Sequence, residues 1–473
     1  MEKIELVFIP SPGVGHLTPS TELAKRMVAR DDRLSVTILV MKAPFESKMM
    51  IDRLQSLVAF TSLETSRVRF VDLPSSDQPP AGFAFFGSFV ESQKPHVRDA
   101  IAELTTAGGA KVAGVILGMF STPMIDVANE FNLPSYLFFT SGAAFLGLSL
   151  HMLALNDDHG VDTCVYKDSN ETLAVPSFEN PVPARVLPSV MLKKEMHKFY
   201  FETVRRFRET KGILVNSCFE LEPYAITSFT GSSPPVHTVG PIVSQQEKTL
   251  TEGEAKIIEW LDRQPEGSVV FLCFGSMGSF EEEQLMEIAV GLERSGFRFV
   301  WSLREAPPKG KFAFPGEYAD PGKPLPSGFL DRTAGVGMVT GWAPQTAILA
   351  HPAVGGFVTH CGWNSTLESI WFGVPTATWP LFSEQQMNAF EMTVELGLAV
   401  EVRMDYRREA GAAVGEAVGA EEIERGIRGV MEEGSEVRQR VKEMSGMCKR
   451  AVIDGGSSFA SLDRLVQHLV QVL

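Results

Sequence analysis

The sequence lacks any long apolar run and any excess of basic residues. Across its 473 residues, no stretch of about 18 apolar residues is free of Gly, Pro or charge, so no membrane-spanning helix is expected. Ile4–Pro10 is apolar but short. Only Lys3 is basic before it, and Gly and Pro follow at once, which is not typical of a signal peptide. The formal net charge of -15 disfavours nucleic-acid partners.

Cysteine is scarce as well. The five cysteines are widely spaced and form no C-x-x-C pair. This argues against a disulfide framework and favours a reduced, cytoplasmic setting. The nine histidines show no spacing typical of metal ligands, so we expect no bound metal. An acidic chain must hold an anionic ligand locally, through helix N-termini and a few polar side chains.

What the sequence does contain is ordinary globular material, with 44% hydrophobic and 21% charged residues. Short buried-strand patterns alternate with helical ones in two blocks. This alternation predicts an α/β protein with two doubly wound parallel sheets, each covered by helices on both faces. The predicted strands are Ile4–Pro10, Val36–Met41, Val68–Leu73, Val112–Leu117, Pro134–Thr140, Ser268–Phe274, Phe297–Leu303, Gly337–Thr340 and Gly355–Thr359.

The segment Gly231–Ile242 is rich in Ser, Pro and Gly and is predicted to be the linker between the two blocks. We therefore expect an N-terminal domain at 1–240 and a C-terminal domain at 241–455, with a final helix at about 456–473 that packs back on the first domain. Ligands of doubly wound sheets bind at the carboxyl ends of the strands, so the cleft between the domains is the expected site.

The clearest chemistry lies in the segment Trp342–Gln385. The predicted strand Gly355–Thr359 leads through a short turn into a helix, for which Asn364 or Ser365 is the expected cap and Glu368 the expected capping-box partner. A helix that starts at the end of a parallel strand offers free N–H groups and a positive dipole end. The segment is therefore a candidate binding site for a diphosphate.

Polar side chains and one aromatic ring add to this site. Trp342, close to Pro344, offers a flat face on which a nucleotide base can stack. The turn Phe274–Gly278 is a second strand-to-turn junction, from which Ser276 can reach the same phosphates. Further hydrogen bonds to the diphosphate are expected from His360, Asn364 and Ser365.

The segment closely resembles the signature box of plant family 1 UDP-dependent glycosyltransferases. The match runs from Trp342 through His360-Cys361-Gly362-Trp363-Asn364-Ser365 to Glu384-Gln385. A weaker resemblance covers essentially the whole chain and is strongest to the branch that glucosylates phenolics and flavonoids. It implies the GT-B fold, in which two Rossmann-like domains face a central cleft. It also implies a UDP-glucose co-substrate, a small hydrophobic acceptor and no resident cofactor. We expect the protein to be a monomer.

The resemblance also implies roles for single residues of the donor site. Trp342 is similar to the residue that stacks on uracil, and the Ala343 backbone to the group that reads the edge of the base. The other implied contacts are Gln345 near the ribose, Glu368 on the ribose hydroxyls, His360, Asn364, Ser365 and Ser276 on the diphosphate, and Trp363, Glu384, Gln385 and Thr140 on the sugar. In the family, Gln at the last position of the box usually accompanies glucose.

The candidate catalytic base is His16, which follows the first predicted strand in the turn Ser11–His16, before a helix. Histidine has an ordinary pKa of about 6.5 and suits proton abstraction from a hydroxyl at neutral pH. The resemblance implies that it is the base of an inverting transfer. In the family, a strand of the N-terminal domain usually ends in an Asp that orients this histidine. Here that position holds Gly118.

Three interpretations of Gly118 stay open at this point. His16 works without a carboxylate, with lower activity or only on acidic acceptors. Alternatively, another group or a water orients it, and Ser121 and Asp126 are nearby in sequence. In the third interpretation transfer is weak or lost, which leaves a protein that binds UDP-sugars.

The acceptor side is less specific. An aromatic stretch, together with four other phenylalanines, is predicted to line a pocket for a planar ring: Phe83, Phe85, Phe86, Phe89, Phe120, Phe145, Phe199 and Phe382. A flavonoid or simple phenol is the first expectation, and other hydrophobic alcohols and C-glycosylation of a phenolic ring stay open. A nicotinamide-dependent oxidoreductase is the rival enzyme class. The turn with Gly13 and Gly15 holds Thr18 where that fingerprint requires a third glycine.

Overall fold

A computed structural model of the chain describes residues 3–42, 48–74, 83–106, 109–244, 250–308, 313–407 and 417–471. The strands are β1 Ile4–Ile9, β2 Leu34–Val40, β3 Val68–Asp72, β4 Lys111–Gly118, β5 Ser135–Phe139, β6 Thr172–Leu173, β7 Val182–Pro183, β8 Ile213–Val215, β9 Val236–Thr238, β10 Val269–Cys273, β11 Arg298–Ser302, β12 Gly337–Thr340, β13 Val354–Thr359, β14 Thr376–Thr378 and β15 Ala399–Glu401.

The helices surround these strands. They are α1 Val14–Val28, α2 Lys48–Glu64, α3 Phe83–Ser92, α4 Lys94–Thr106, α5 Met124–Glu130, α6 Ala143–Asp157, α7 Ser189–Leu192, α8 Lys194–Arg205, α9 Pro223–Ser228, α10 Glu252–Leu261, α11 Glu282–Ser295, α12 Phe329–Arg332, α13 Gln345–Ala350, α14 Trp363–Phe372, α15 Gln385–Phe390, α16 Ala420–Met431, α17 Glu436–Ala451 and α18 Ser457–Gln471. None of those described has the length and apolarity that crossing a bilayer requires.

The strands form two separate parallel sheets. The first runs in the order β3-β2-β1-β4-β5-β8-β9 and the second in the order β12-β11-β10-β13-β14-β15. Central strands such as β1, β5 and β10 are buried along their whole length, because helices cover both faces. The predicted α/β architecture of two Rossmann-like sheets is confirmed. Strand order reverses between β1 and β4 and between β10 and β13, so the loops after these strands open onto the cleft.

Every strand predicted from the sequence coincides with an observed strand to within two residues at either end. The linker prediction, in contrast, is wrong. Gly231–Ile242 contributes β9, which pairs in parallel with β8 at the edge of the first sheet. The side chain of Ile242 is buried in the core of that sheet, whereas Val243 packs with Trp363 of the second unit. Gly231–Ile242 is therefore part of the first unit.

The helix α18 packs on the first sheet, although it follows the second sheet in the chain. Its apolar side chains, including Leu462, Leu465 and Val466, are buried with side chains of β1, β2 and α1 in one hydrophobic core. It follows the whole second sheet in sequence but covers the first sheet in space.

Two buried carboxyl groups meet where the sheets face each other. The Glu222 carboxylate accepts hydrogen bonds from the backbone N–H groups of Ala143 and Ala144, at 2.9 and 2.6 Å, at the N-terminus of α6. Glu391, from the segment after α15, is hydrogen-bonded to Glu222. Burial, followed by the charge of Glu222, raises the pKa of Glu391 well above 4.5. Glu391 therefore carries the proton that the two carboxyl groups share.

Glu391→Gln is expected to change how stability depends on pH. Because the folded pKa of Glu391 is raised, its stabilising contribution is fully present below pH 4.5 and is lost as the pH rises through the folded pKa. Between pH 4.5 and the folded pKa of Glu391, the free energy of unfolding of the wild type falls by up to about 1.4 kcal/mol per pH unit through this proton. The variant should lose less, and should melt above the wild type at pH 8. Thermal unfolding between pH 5 and pH 9, with the exposed Glu433→Gln as control, checks this. Parallel curves for wild type and Glu391→Gln would contradict it.

Candidate functional site

The donor half of the site starts at two turns that follow neighbouring strands. β10 and β13 pair in parallel up to Cys273 and Thr359, and both chains then turn through glycine-containing loops at the cleft. Gly275 has a φ of +74°, and a Cβ there would lie 2.4 Å from Nε2 of His360. Glycine is therefore required for the turn that carries Ser276 to pack against His360. The two turns predicted to hold a diphosphate do lie together.

The side chain of His360 is buried under this turn. Burial lowers the pKa of His360 to about 4, so the ring is neutral at physiological pH. A neutral imidazole offers one N–H donor to a phosphate oxygen and no positive charge. His360 can therefore contribute a hydrogen bond to a diphosphate, while the favourable electrostatic field must come from the dipole of α14.

The helix α14 begins at Trp363, one residue earlier than the cap predicted from the sequence. Its N-cap is Gly362, which has no side chain with which to satisfy the N–H groups of the first turn. The capping box predicted for Ser365 and Glu368 is therefore wrong, because both residues lie inside the helix. Among the described residues, a complete capping box is formed by Thr251 and Glu254 at the start of α10. The uncapped N-terminus of α14 leaves N–H groups for an anion.

The backbone beside this helix has unusual geometry. Cys361 has a φ of 63° and Ser383 a φ of 60°, in the left-handed region that residues other than glycine rarely adopt. The first immediately precedes the N-cap of α14, and the second precedes Glu384. Strained positions of this kind cluster at ligand sites, where the surrounding fold holds them in place.

Three of the predicted donor residues form one hydrogen-bonded group. Nε2 of Gln345 donates to Oγ of Ser365 at 2.8 Å and to Oε2 of Glu368 at 2.7 Å. Gln345 begins α13, and the other two lie on the cleft side of α14. The amide fixes the half-buried carboxylate of Glu368 in place. The second carboxylate oxygen can accept from ligand hydroxyl groups.

Two arginine side chains lie against the ring of Trp342. The guanidinium of Arg53, on α2 of the first unit, lies 3.8 Å from the centre of the ring, and that of Arg304 lies 4.9 Å away. Arg53 also pairs with Glu254 at 3.4 Å, so this contact joins the two units. A base that stacks on the face covered by Arg53 would have to displace its guanidinium. Ala343, next along the chain, is buried.

The residues predicted to face the sugar lie in different settings. The ring of Trp363 is buried between the units, and its Nε1–H donates to the carbonyl of Asn216 at 2.8 Å. Oε1 of Gln385 accepts from the backbone N–H groups of Leu381 and Phe382, which fixes the loop before α15. Glu384 is half-buried at the end of that loop, and burial raises its pKa. Glu384 thus lies at the cleft, while Trp363 is an anchor between the units.

His16 lies in the first turn of α1, not in the loop before it as predicted. The residue as a whole is half-buried. Burial lowers the pKa of His16 to about 4, and no charged side chain of the described residues adds to this shift. At neutral pH His16 is therefore an uncharged imidazole that can accept a proton.

The partner of His16 is Thr140, which the sequence analysis had assigned to the sugar alone. Nδ1 of His16 lies 2.8 Å from Oγ1 of Thr140. The two partners considered from sequence are both engaged elsewhere. Ser121 Oγ donates to the Pro10 carbonyl, and Asp126 forms ion pairs with Arg206 and Lys94 at the surface. The signal available was the sheet order, in which β4 lies between β1 and β5; Gly118 at the end of β4 pairs with Phe138, two residues before Thr140.

Gly118 lies in a space too small for any side chain. A Cβ there would lie 2.3 Å from the backbone nitrogen of Ser11 and 2.6 Å from Oγ of Ser11, which accepts from the N–H of Phe120. The backbone after β1 thus occupies the position where the resemblance implies a carboxylate. An Asp at 118 would meet this backbone before it could reach His16.

Gly118→Ala is expected to destabilise the fold by about 1–3 kcal/mol, because the added methyl group meets backbone atoms that cannot rotate away. Urea unfolding of the purified protein checks this. Gly109→Ala is the matched control, since that glycine is exposed and an added Cβ there meets no atom within 4 Å. Equal midpoints for Gly118→Ala and the wild type would contradict the packing argument.

Part of the predicted aromatic lining surrounds His16. The ring of Phe120 presents an edge-to-face contact to His16 at 6.1 Å, and Phe86 and Phe199 pack on Phe120 at 5.4 and 6.4 Å. The others lie elsewhere: Phe89 and Phe145 are in the cores of the first unit, Phe382 packs in the second, and the side chains of Phe83 and Phe85 lie outside the described residues. A cluster of aromatic rings thus lies beside the candidate base.

One group of possible metal ligands occurs within the described residues, away from the cleft residues. Asp162, Cys164 and His197 bring one ligand atom each to within 4.8 Å of one another near the surface. The group is partly exposed, and Asp162 already accepts from the N–H of Cys164. The absence of a metal and of a resident cofactor stays a prediction.

Comparison with known proteins agrees with this geometry. The family model described as UDP-glucoronosyl and UDP-glucosyl transferase matches residues 187–418. The chain is 52% identical over 476 residues to UDP-glucose flavonoid 3-O-glucosyltransferase 6 of Fragaria ananassa, covering 98% of each chain.

Solved structures show the same arrangement of two units. A UGT transferase of Siraitia grosvenorii in complex with UDP superposes with a TM-score of 0.88 at 47% identity, covering 99% of this chain and 100% of that one. UGT71G1 of Medicago truncatula, complexed with UDP-glucose, gives a TM-score of 0.86 at 39% identity, covering 99% and 98%. The GT-B fold implied by the sequence is thereby confirmed.

Proposed function

Because this chain belongs to the family of UDP-glucoronosyl and UDP-glucosyl transferases, we propose that it transfers glucose from UDP-glucose to a phenolic or flavonoid hydroxyl. It is a UDP-glycosyltransferase, and the flavonoid glucosyltransferase from Fragaria ananassa supports the acceptor class. His16 is the base of this proposal, and the sugar is transferred with inversion. We further propose a monomer in the cytoplasm, which gel filtration and cell fractionation would test.

A single contact carries the proposal. Nδ2 of Asn364, in the first turn of α14, donates to the carbonyl of Gly15 at 2.8 Å. Gly15 immediately precedes His16, so this bond joins the start of the donor helix to the loop of the candidate base. A sugar whose diphosphate rests on α14 would then have its reacting carbon beside His16.

The donor is held by groups of the second unit. We assign the diphosphate to the uncapped N-terminus of α14, with hydrogen bonds from Ser276 and His360. We assign the ribose hydroxyls to Glu368, and uracil to Trp342 once Arg53 has moved. Glu384 and Gln385 are assigned to the glucose hydroxyls. The net charge of -15 gives no general attraction for an anion, so these local groups must supply the binding.

The transfer needs one proton to move. The acceptor hydroxyl donates to the free ring nitrogen of His16, and its oxygen forms a bond to the anomeric carbon of glucose. The bond from that carbon to the β-phosphate oxygen breaks, and UDP leaves with the electron pair. The helix N-terminus stabilises the charge that develops on the diphosphate. The aromatic cluster around Phe120 positions a planar acceptor for this attack.

The test is incubation of the purified protein with UDP-glucose and a panel of phenols and flavonols. Mass spectrometry should find acceptor plus one hexose, and UDP should be released in equal amount. Products should release glucose on acid hydrolysis, as O-glucosides do, whereas a C-glucoside would resist. If UDP binds in calorimetry and no acceptor is glucosylated, the protein is a UDP-sugar-binding protein and the proposal fails.

A further inference from the structure

The orientation of His16 depends on a hydroxyl group. Nδ1 of His16 is bonded to Oγ1 of Thr140, a buried side chain at the end of β5. This leaves Nε2 for the acceptor. In the tautomer that acts as a base at Nε2, the hydrogen is on Nδ1, and that N–H donates to Oγ1 of Thr140. Thr140 therefore selects the ring orientation that a base at Nε2 requires.

The groups found around His16 among the described residues are otherwise uncharged. The edge of Phe120 faces the ring, Asn364 approaches only the neighbouring Gly15 carbonyl, and the backbone of Ser11 fills the space beside Gly118. Among the described residues, burial alone shifts the pKa of the ring. When His16 takes up a proton, its partner at Nδ1 is a neutral hydroxyl. A carboxylate at that place would neutralise the positive charge, and the hydroxyl does not.

This setting has a consequence for the acceptor. A hydroxyl can accept the Nδ1–H bond but cannot cancel the charge of an imidazolium ion. The imidazolium is thus poorly stabilised, and its formation must be driven by the acidity of the acceptor. Phenols ionise with a pKa of about 10. An alkyl hydroxyl is closer to water, with a pKa of about 15.7. Proton transfer from the alkyl hydroxyl is less favourable by several orders of magnitude.

We propose that Thr140 is the positioning residue of His16, and that this pairing restricts the enzyme to acidic hydroxyl groups. Phenolic hydroxyls are glucosylated, and benzylic or alkyl hydroxyls on an equally planar acceptor are almost inert. In the step itself, the phenolic O–H bond breaks toward Nε2 of His16 and the oxygen–carbon bond to glucose forms as UDP departs. The proton on His16 then passes to solvent. The inference rests on the proposed function and narrows its substrate class.

The first test compares acceptors of one shape and different acidity. The series 4-nitrophenol, 4-cyanophenol, phenol and 4-methoxyphenol is assayed beside 4-nitrobenzyl and 4-cyanobenzyl alcohol, with saturating UDP-glucose. We expect kcat to fall along the phenol series, and each benzylic alcohol to react about 100-fold or more slowly than its phenol. Comparable kcat values for 4-nitrophenol and 4-nitrobenzyl alcohol would overturn the acidity requirement and leave the proposed function intact. No product from any acceptor would instead refute the proposed function.

The second test concerns Thr140. Thr140→Val removes the hydroxyl at nearly constant size, and Thr140→Ser retains it. Thr140→Val should lower kcat with phenol about tenfold or more and steepen the dependence of kcat on acceptor acidity, whereas Thr140→Ser should restore both. Binding of UDP, which lacks the sugar, should be the same in both variants by calorimetry. A Thr140→Val enzyme with an unchanged kcat and an unchanged pH profile would overturn the positioning role.

Discussion

His16→Ala is expected to lower kcat for glucosyl transfer by about 10²- to 10⁴-fold, the range that a positioned general base usually contributes. The ring is neutral and oriented by Thr140, so the variant removes the proton acceptor and leaves the donor groups of the second unit in place. Affinity for UDP should therefore be unchanged in calorimetry. The measurement is kcat with phenol, an acceptor that is not ionised at pH 7.5, at saturating UDP-glucose.

A matched control separates chemistry from packing. His159→Ala removes a histidine of the same unit whose side chain is exposed, and it should keep the wild-type kcat. His16→Gln retains a polar side chain of similar reach without a usable base, and it should be as slow as His16→Ala. If either His16 variant retains wild-type turnover, the base lies elsewhere in the cleft and the mechanism is wrong.

The second large effect is expected at Glu368. Glu368→Ala should raise the KM for UDP-glucose by about 10- to 100-fold, which corresponds to the loss of hydrogen bonds to a charged acceptor. The ribose makes the same contacts before and during transfer, so kcat should change much less than KM. Because Gln345 donates to this carboxylate at 2.7 Å, the side chain is already in place before the donor arrives.

Two nucleotides that differ by one ribose hydroxyl provide a control for the role of Glu368. Wild type should bind 2′-deoxy-UDP more weakly than UDP, and Glu368→Ala should bind the two nearly equally, because the carboxylate that distinguishes them is gone. Glu259→Ala, an exposed helical glutamate of the same unit, should behave as wild type. If Glu368→Ala still discriminates fully between UDP and its deoxy form, the ribose is held by another residue.

The central strands could be predicted from sequence because each is a continuous buried run. Three-residue strands such as β8, β9, β14 and β15 are too short to show a period, and β9 lies in a segment whose Pro and Gly content suggested a linker. The candidate donor residues could be listed from sequence because one segment contains most of them. The helix start was misplaced because Asn364 and Ser365 are good caps by type, while the turn required Gly362 at that position.

The contacts between distant segments could not be read from the sequence. Thr140 meets His16 across 124 positions, and Arg53 meets Trp342 between the two units. From the sequence, Gly118 is a position where a carboxylate is missing. The structure adds the reason, which is that no side chain fits there. The backbone at Ser11 lies too close for a Cβ at this position, and a contact between segments so far apart in the chain leaves no pattern in the sequence.

The position of α18 also bears on how the protein is made. On the ribosome, the strands of the first sheet emerge well before α18, and the entire second sheet is translated in between. Until then the nascent first sheet exposes the apolar surface that Leu462, Leu465 and Val466 later cover. Such a surface favours chaperone binding or aggregation of the unfinished chain. Premature stop codons just before α18 should therefore yield insoluble protein even though every donor-site residue has been synthesised.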